Sequence, residues 1–323
     1  MSRRDILPTP REVREAAARI AGGITRTPLM RSPALSALVG GDVYLKLENR
    51  QVGGSFKVRG ALNALHMLSA DERARGVVAS SAGNHGLGIA LAAKALGVDA
   101  LVFVPSTAPQ VKLAGIVAHG ARIDASEPDY DAAERAARAH ARETDATFLG
   151  PCTGRPLLAG AGTVALEIME DLPNVGTVIV CVGGGGLVSG MAGFIRGTAS
   201  GVRIIGAQGI RTNAMTLALA SGRATDIPSL PTLADGLAGL VDDEMLAQGQ
   251  AALDAIVTVE EEEIADAIAW LHREHGLVVE GSGAVGVAAL RTGRLKPQAF
   301  PVAMTISGGN IDPAKHDALV STH

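Results

Sequence analysis

The chain has 323 residues, of which 47% are hydrophobic but only 2% aromatic, so its core must be built mainly from Ala, Val, Leu and Ile. A formal net charge of −4, with no block of like charge, excludes a basic nucleic-acid surface and a charged membrane-binding surface; we expect a small-molecule substrate. The two cysteines, Cys152 and Cys181, have neither paired spacing nor a neighbouring histidine, which argues against disulfides and zinc and favours a reducing cytoplasm.

The order of predicted elements indicates an α/β fold. The first twenty residues carry charges where a signal peptide would have its apolar core, so they predict an amphipathic helix. Short apolar runs then alternate with longer Ala-rich segments, which is typical of a parallel sheet covered by helices. The predicted strands are VYLKL, GVVAS, ALVFV, ARIDA, TVIVCV, RIIGAQ and VAMTIS. Strand and helix repeat compactly over 71–147, so we expect a small domain at 69–151 and a large domain formed by 1–68 and 152–323.

The first segment with chemical character is ENRQVGGSFKVRGA, residues 48–61, which contains one of only six lysines, Lys57. Small residues on both sides of Lys57 leave room for a ligand. A partly desolvated lysine beside another cation, here Arg59, is expected to have a lowered pKa and to act as an amine nucleophile toward a carbonyl. Lys46 lies on an alternating strand, so we expect it to be solvated.

The second segment is VASSAGNHGLG, residues 78–88, between a predicted strand and a predicted helix. Backbone N–H groups at a helix N-terminus would hold a carboxylate, and the amide of Asn84 would donate to a ring oxygen. Helix capping by the serine and asparagine side chains explains the same residues, and both interpretations stay open here. His85 fits a structural histidine better than a catalytic base.

The third segment is VIVCVGGGGLVSGMAG, residues 178–193, where a strand runs through four glycines into a helix. Such a turn presents backbone N–H groups at the positive end of a helix dipole and predicts an anion site. The dinucleotide spacing fails, because Val188 or Ser189 stands where the last glycine is needed and Gln208 ends the next strand. A Walker lysine is also missing. A small phosphorylated cofactor remains, with tight packing alone as the alternative.

The charge-free window 177–195 is about as long as a membrane span, but its six glycines favour a buried strand, loop and helix. Further on, the acidic run TVEEEEIADAIAWLHREHG predicts a helix with a Thr258–Glu261 capping box rather than a metal cluster. The last predicted strand ends in TISGGN, where Ser307 supplies a lone hydroxyl before two glycines.

These segments together resemble the fold type II pyridoxal-phosphate enzymes, which are tryptophan synthase β-like, and among them the threonine/serine dehydratase and serine racemase family. The matching motifs are GGSFKVRGA, SSAGNH, GGGGL and SGGN, with TPL, LPTLADGL and VVEGSGAVG, in the order of that family and along nearly the whole chain. The resemblance implies two doubly wound α/β domains with mainly parallel sheets, and pyridoxal 5′-phosphate as cofactor. It also implies a homodimer.

The resemblance implies a role for each matching residue. Lys57 would hold the cofactor as a Schiff base and take the α-proton. The other residues that would bind the cofactor are Phe56 beside the ring, Asn84 at the ring hydroxyl, Gly183, Gly184, Gly185, Gly186 and Leu187 at the phosphate, Ser307 at the pyridine nitrogen, and Glu280 near the site. The substrate carboxylate would lie on Ser81, Ala82, Gly83, Asn84 and His85.

The activity implied is β-elimination from L-threonine, L-serine or a related β-hydroxy amino acid, giving a 2-oxo acid and ammonia. A neutral Ser307 at the pyridine nitrogen favours elimination over transamination. The alternatives are a serine racemase, a β-replacement enzyme and a non-catalytic phosphate-binding module. Ala82 stands where the racemases have a serine, and His85 stands where the β-replacement branch has a threonine.

Three departures from the family pattern and the chain length add further expectations. Gly53 replaces a usual Thr, and Pro151, Cys152, Thr153 and Gly154 replace a Pro-Phe/Tyr-Asp segment. We expect both changes to lie near the substrate side chain, so 3-hydroxyaspartate or an ectoine-pathway intermediate is a further candidate substrate. Gln208 stands where some relatives begin a divalent-cation site, so we expect no metal. The length leaves no room for a regulatory domain, so we do not expect inhibition by isoleucine.

Overall fold

The computed structural model of the chain describes residues 6–108, 110–228 and 230–323. Residues 1–5, the start of the predicted N-terminal helix, lie outside this part. The strands are β1 (Leu29–Arg31), β2 (Val43–Leu47), β3 (Val77–Ser80), β4 (Ala100–Pro105), β5 (Arg122–Glu127), β6 (Thr147–Phe148), β7 (Thr177–Cys181), β8 (Arg203–Gly209), β9 (Ala255–Val259) and β10 (Val302–Ile306).

Helices connect most of these strands. They are α1 (Pro10–Ile20), α2 (Pro33–Val39), α3 (Lys57–His66), α4 (Ala70–Arg75), α5 (Asn84–Leu96), α6 (Gln110–Ala118), α7 (Tyr130–Thr144), α8 (Arg155–Asp171), α9 (Gly186–Thr198), α10 (Ala214–Ser221), α11 (Asp243–Ala252), α12 (Glu261–His275), α13 (Gly281–Arg291) and α14 (Pro313–Thr322). None of the helices in the described ranges combines the length and apolar character needed to cross a membrane.

The strands form two sheets. The first has the order β1-β2-β10-β7-β8-β9, in which β1 is antiparallel to β2 and the other pairs are parallel. The second has the order β5-β4-β3-β6 and is parallel throughout. The predicted α/β fold with mainly parallel sheets is therefore confirmed. All seven predicted strands are present, whereas β1, β6 and β9 were missed; β1 and β6 have only three and two residues.

The second sheet lies entirely between Val77 and Phe148, inside the range 69–151 expected for a small domain, and the first sheet lies outside that range. One helix crosses this division. Val58, Ala61, Leu62 and Leu65 of α3 pack in the apolar core of the second sheet, although α3 precedes residue 69. The domain boundaries stay a prediction.

Helix α3 is held close to α8 by small residues. A Cβ added at Gly60 would lie 2.8 Å from the carbonyl oxygen of Leu157, so the two backbones approach directly. This close approach sets the position of α3, and therefore of Lys57, relative to α8.

The other anchor of α3 is a set of charges that we call the buried ion cluster: Lys46, Glu48, Arg59 and Glu167. Arg59 is fully buried and donates to both carboxylates, at 2.8 Å to Glu48 and 2.7 Å to Glu167. The ammonium of Lys46 lies 2.6 Å from Glu167 and is also completely buried. The expectation that Lys46 is solvated was therefore wrong. A long-range partner on α8 converts a strand lysine into part of the core.

The acidic segment forms the expected helix, α12, but with a different start. Glu260 precedes the helix, and its N–H donates to Glu263 at 2.7 Å. The predicted pair was wrong, because Thr258 lies in β9 and Glu261 instead accepts from Thr232 and Leu233.

Candidate active site

The site lies at the carboxyl edge of the six-stranded sheet, where β7 and β10 run parallel as neighbours. Gly183, Gly184 and Gly185 link β7 to the first turn of α9, and Gly185 has a φ of +92°, which a residue with a side chain rarely adopts. The first N–H groups of a helix have no partner within the helix. The loop therefore directs backbone donors and the helix dipole toward this edge, as the sequence predicted.

Residues behind the glycine loop explain why side chains are excluded from it. A Cβ at Gly183 would lie 3.0 Å from the backbone of Leu237, and one at Gly184 would lie 2.8 Å from the Cys152 sulfur. A Cβ at Gly186 would lie 2.9 Å from the Cys152 Cα. Cys152, one of the departures noted in the sequence, thus packs directly against the loop.

The second departure, Gly53, has a different environment. Its φ is +73°, and a Cβ there would strike the side chain of Leu91 on α5. The space left by the missing side chain is therefore filled by Leu91. A change at residue 53 acts on the packing of this turn.

Lys57 is half-buried at the start of α3. Its Nζ donates to the carbonyl of Pro151 at 2.9 Å and lies 5.2 Å from the centre of the Phe56 ring. The N–H of Phe56 donates to the carbonyl of Ser307 at 3.1 Å, which ties this turn to the end of β10. The Lys57 amine therefore has a neutral acceptor in the segment before α8. The turn that carries Lys57 is bonded to the end of β10.

Arg59 does not serve as the neighbouring free cation that the sequence suggested for Lys57. Its guanidinium belongs to the buried ion cluster, where two carboxylates compensate its charge. The interpretation that Arg59 activates Lys57 was wrong, since its partner Glu167 lies 108 positions away and is invisible to a local motif.

Ser307 is buried at the end of β10 beside Cys181, which ends β7. Burial raises the pKa of the Cys181 thiol to about 11, and the charge of Glu280 adds to this. A hydrogen bond with Ser307 and the positive charge of Lys57 act in the opposite direction on the same pKa. These four side chains therefore lie close enough to interact, and Cys181 is a neighbour of the site that its spacing did not reveal.

The asparagine loop, residues 80–85, spans the end of β3, the connection that follows it and the start of α5. The Ser81 hydroxyl accepts from the N–H of Gly83 at 3.1 Å, so it closes a tight turn. Gly83 precedes the helix and Asn84 is its first residue, with no side-chain cap. The capping alternative is therefore wrong for Asn84. Its amide nitrogen donates to Glu280 at 2.7 Å, and Glu280 lies just before α13.

Two loop residues have apolar surroundings. Ala82 is partly buried against the core of the second sheet. His85 is almost fully buried, and its Nε2 lies 2.9 Å from the carbonyl of Leu149. Burial, and then the charge of Lys57, lower the pKa of His85 to about 3. The contact with Leu149 fits the structural interpretation of His85. Its place at the substrate carboxylate stays a prediction.

Gln208 is completely buried, and its amide is engaged by nearby groups. Its Nε2 donates to the carbonyl of Thr212 at 2.9 Å, and its Oε1 accepts from the hydroxyl of Thr216 at 2.8 Å. Within the described ranges, three or more metal-ligating side chains do not gather anywhere. The expectation that the protein uses no metal stays a prediction.

The structure thus brings together every segment that the sequence selected: Lys57 with Phe56, the asparagine loop, the glycine loop, Glu280 and Ser307. Sequence reasoning missed Asn310, whose amide donates to Asn84 Oδ1 at 2.7 Å, and the backing role of Cys152. The motif TISGGN ends in Asn310, and its position beside two glycines could have marked Asn310 as a site residue, although not as the partner of Asn84.

Comparison with known proteins agrees with this geometry. The family model described as pyridoxal-phosphate-dependent enzyme matches residues 20–308. The L-threonine ammonia-lyase of Thermotoga maritima is 43% identical over 97% of this chain and 78% of its own length. A serine racemase of Oryza sativa subsp. indica is 34% identical over 93% of this chain and 90% of its own. The structure of maize serine racemase superposes with a TM-score of 0.92 at 32% identity, covering 98% of both chains.

The chain belongs to the family of pyridoxal-phosphate-dependent enzymes, in its fold type II branch, and pyridoxal 5′-phosphate is its cofactor. The residues present fit that group. A primary amine, a helix N-terminus free of side chains and a neutral hydroxyl suit an aldehyde, a phosphate and a pyridine nitrogen. In the described part of the chain, five buried side-chain atoms in the elements around the site have no hydrogen-bond partner: Ser80 Oγ, His85 Nδ1, Ser189 Oγ, Ser282 Oγ and Thr305 Oγ1.

Proposed function

We propose that the protein is an ammonia-lyase that eliminates the β-hydroxyl of L-threonine, L-serine or a related β-hydroxy amino acid. The products are a 2-oxo acid and ammonia. One observation carries the proposal: the Lys57 amine and the Ser307 hydroxyl lie at the same sheet edge as the glycine loop. Residue 82 of the asparagine loop is an alanine, without a hydroxyl. The 43% identity to an L-threonine ammonia-lyase along nearly the whole chain supports it.

We assign each site residue one role. Lys57 holds the cofactor and then takes the α-proton of the substrate. The remaining assignments are Phe56 beside the ring, Asn84 at the ring oxygen, Gly183, Gly184, Gly185, Gly186 and Leu187 at the phosphate, Ser307 at the pyridine nitrogen, Glu280 next to Asn84, and Ser81, Ala82, Gly83, Asn84 and His85 at the substrate carboxylate. When bound, the cofactor supplies electron withdrawal from the α-carbon.

The chain's own groups then decide the outcome once the α-proton has been removed. The N–H groups at the start of α5 orient the carboxylate, and the methyl group of Ala82 supplies no proton there. The buried His85 stays neutral and brings no charge. A neutral Ser307 leaves the pyridine nitrogen without an acidic partner, so loss of the β-hydroxyl competes well with reprotonation.

The test is release of 2-oxo acid from L-serine, L-threonine and 3-hydroxyaspartate by the loaded enzyme. We expect turnover of at least one of them to depend on Lys57. Racemisation is the second candidate, because a relative named serine racemase is 34% identical over most of both chains. Chiral analysis of recovered serine separates the two activities. Abundant D-serine with little pyruvate would replace the ammonia-lyase proposal by the racemase.

We further propose that the enzyme works as a homodimer in the cytoplasm. Both cysteines are free, which suits a reducing compartment. Light scattering coupled to size exclusion tests the dimer directly. A monomer mass of 32.9 kDa under those conditions would contradict it.

A further inference from the structure

A chain of side-chain hydrogen bonds holds the amide of Asn84 at both ends. Asn84 Nδ2 donates to Glu280 Oε1 at 2.7 Å, and Asn84 Oδ1 accepts from Asn310 Nδ2, also at 2.7 Å. Asn310 Nδ2 donates in addition to the carbonyl of Gly53 at 2.8 Å. The chain therefore joins the start of α5 to the segments before α13, after β10 and before α3.

The acceptors at the two ends of this chain determine how each amide is oriented. A peptide carbonyl such as Gly53 accepts only, so Asn310 must face it with Nδ2. A carboxylate such as Glu280 also accepts only, so Asn84 must face it with Nδ2 and turn Oδ1 toward Asn310. A flipped Asn84 would place oxygen against the carboxylate and nitrogen against the Asn310 nitrogen. Both contacts would be repulsive.

Two glycines keep the space for this arrangement. A Cβ at Gly54, which has a φ of +72°, would strike Asn310 Oδ1. A Cβ at Gly308 would lie 2.5 Å from Glu280 Oε1 and 3.2 Å from Asn84 Nδ2. The backbone on both sides thus lacks side chains where the amides and the carboxylate need room.

We propose that Asn310 is a positioning residue that fixes the amide of Asn84 so that its second N–H is directed to the ring oxygen of the cofactor. An amide nitrogen carries two hydrogens, and the bond to Glu280 uses one of them. The inference rests on the proposed function in one respect, namely that Asn84 binds the ring oxygen. It adds that the segment after β10 controls this contact from a distance.

The experiment titrates the apoenzyme with pyridoxal 5′-phosphate and with its 3-deoxy analogue, which lacks the ring oxygen. Asn310→Ala is compared with Asn174→Ala, a control at an exposed asparagine before β7, at the opposite edge of the sheet. We expect Asn310→Ala to weaken binding of pyridoxal 5′-phosphate about tenfold. Binding of the 3-deoxy analogue should change less than about twofold, and the control should change neither.

Asn310→Asp sharpens the test, because it keeps the shape but places a carboxylate oxygen against two acceptors. It should weaken binding of pyridoxal 5′-phosphate more than Asn310→Ala does. An equal loss for both ligands would show a merely structural role for Asn310, and no loss for either would remove the role altogether. Each result overturns the inference.

Asn84→Ala separates this inference from the proposed function. If Asn84→Ala favours the 3-deoxy analogue and Asn310→Ala does not, only the positioning role fails. If Asn84→Ala weakens both ligands equally, Asn84 does not bind the ring oxygen, and the assignment in the proposed function fails together with the inference.

Discussion

Two basic side chains two positions apart on one helix have opposite surroundings. Arg59 lies in the buried ion cluster, where Glu48 and Glu167 compensate the charges of Arg59 and Lys46. Lys57 is half-buried, and its amine donates to a neutral peptide carbonyl. In the buried ion cluster, every charge has a charged partner. Together these ion pairs hold α3 to the sheet and to α8. At the site, by contrast, the carbonyl that accepts from the amine carries no charge.

The comparison shows that buried ion pairs hold the fold together, whereas a charged amine with a neutral partner is suited to chemistry. Charge compensation in the interior is strong only while it is complete, because removing one partner leaves another charge buried and unpaired. At the site, Lys57 donates to a peptide carbonyl and Glu280 accepts from an amide, so each of these charged groups contacts a neutral one. Variants that break one region should therefore affect stability, and variants that break the other should affect chemistry.

The largest effect is expected from Lys57→Ala. It removes the amine that we assign to cofactor attachment and proton transfer, so turnover of L-serine or L-threonine should fall about 10⁴-fold or more. Lys57→Arg keeps the charge and should fall equally. Lys94→Ala, at an exposed lysine on α5, is the control and should leave turnover unchanged. Near wild-type release of 2-oxo acid by Lys57→Ala would sink the assignment.

The next effect is on stability and is expected from Lys46→Met. The change leaves the buried cluster with one cation and two carboxylates, so the free energy of unfolding of the apoenzyme should fall by about 3 kcal/mol. Lys94→Met, at the exposed lysine, should change it by less than about 0.5 kcal/mol. Urea denaturation gives both values. An equal response of the two variants would mean that Lys46 is solvated after all.

Lys57 and Lys46 also show which features of the site and of the core could be predicted from the sequence. Lys57 was identified because small residues flank it in the sequence, and such a pattern can be read without knowing the fold. Lys46 was misassigned because its burial depends on Glu167, which reaches it from α8. The fold class followed from apolar runs and their spacing. Contacts between distant segments, such as Asn310 with Asn84, depend on how the strands are ordered in the sheet, and no local pattern encodes them.

A smaller effect concerns pH. Burial lowers the pKa of His85 to about 3 in the folded protein, whereas an unfolded histidine has an ordinary pKa near about 6.5. Below about pH 6.5 the unfolded chain therefore binds a proton at His85 and the folded chain does not. The free energy of unfolding falls as the pH falls toward 3, by at most about 1.4 kcal/mol per pH unit. Above that range His85 contributes no pH dependence.

His85→Gln should remove this part of the slope. Urea denaturation of the apoenzyme at pH 7.5 and pH 5 should show a smaller loss of stability for His85→Gln than for the unmodified chain, by about 2 kcal/mol. Met67→Gln, at an exposed side chain that does not titrate, serves as the control and should keep the slope. Parallel slopes for all three proteins would mean that His85 is protonated in the folded state.

The smallest expected effect tests the absence of a hydroxyl at residue 82 of the asparagine loop. The resemblance to the racemases implies a serine directly before Gly-Asn-His, and this chain has Ala82 at that place. A methyl group donates no proton on the face opposite Lys57, so the unmodified enzyme should release pyruvate from L-serine with D-serine as a trace product at most.

Ala82→Ser adds one hydroxyl to a small side chain that is only partly buried. The loop should accept it, and the ratio of D-serine to pyruvate should rise about tenfold, because a second proton donor then serves the opposite face. Ala82→Gly changes the side-chain volume without adding a donor and should leave the ratio unchanged. Chiral chromatography of serine, run beside pyruvate release, gives the ratio. A rise in both variants would trace the effect to loop mobility, whereas abundant D-serine from the unmodified enzyme would show that the second proton comes from a group other than residue 82.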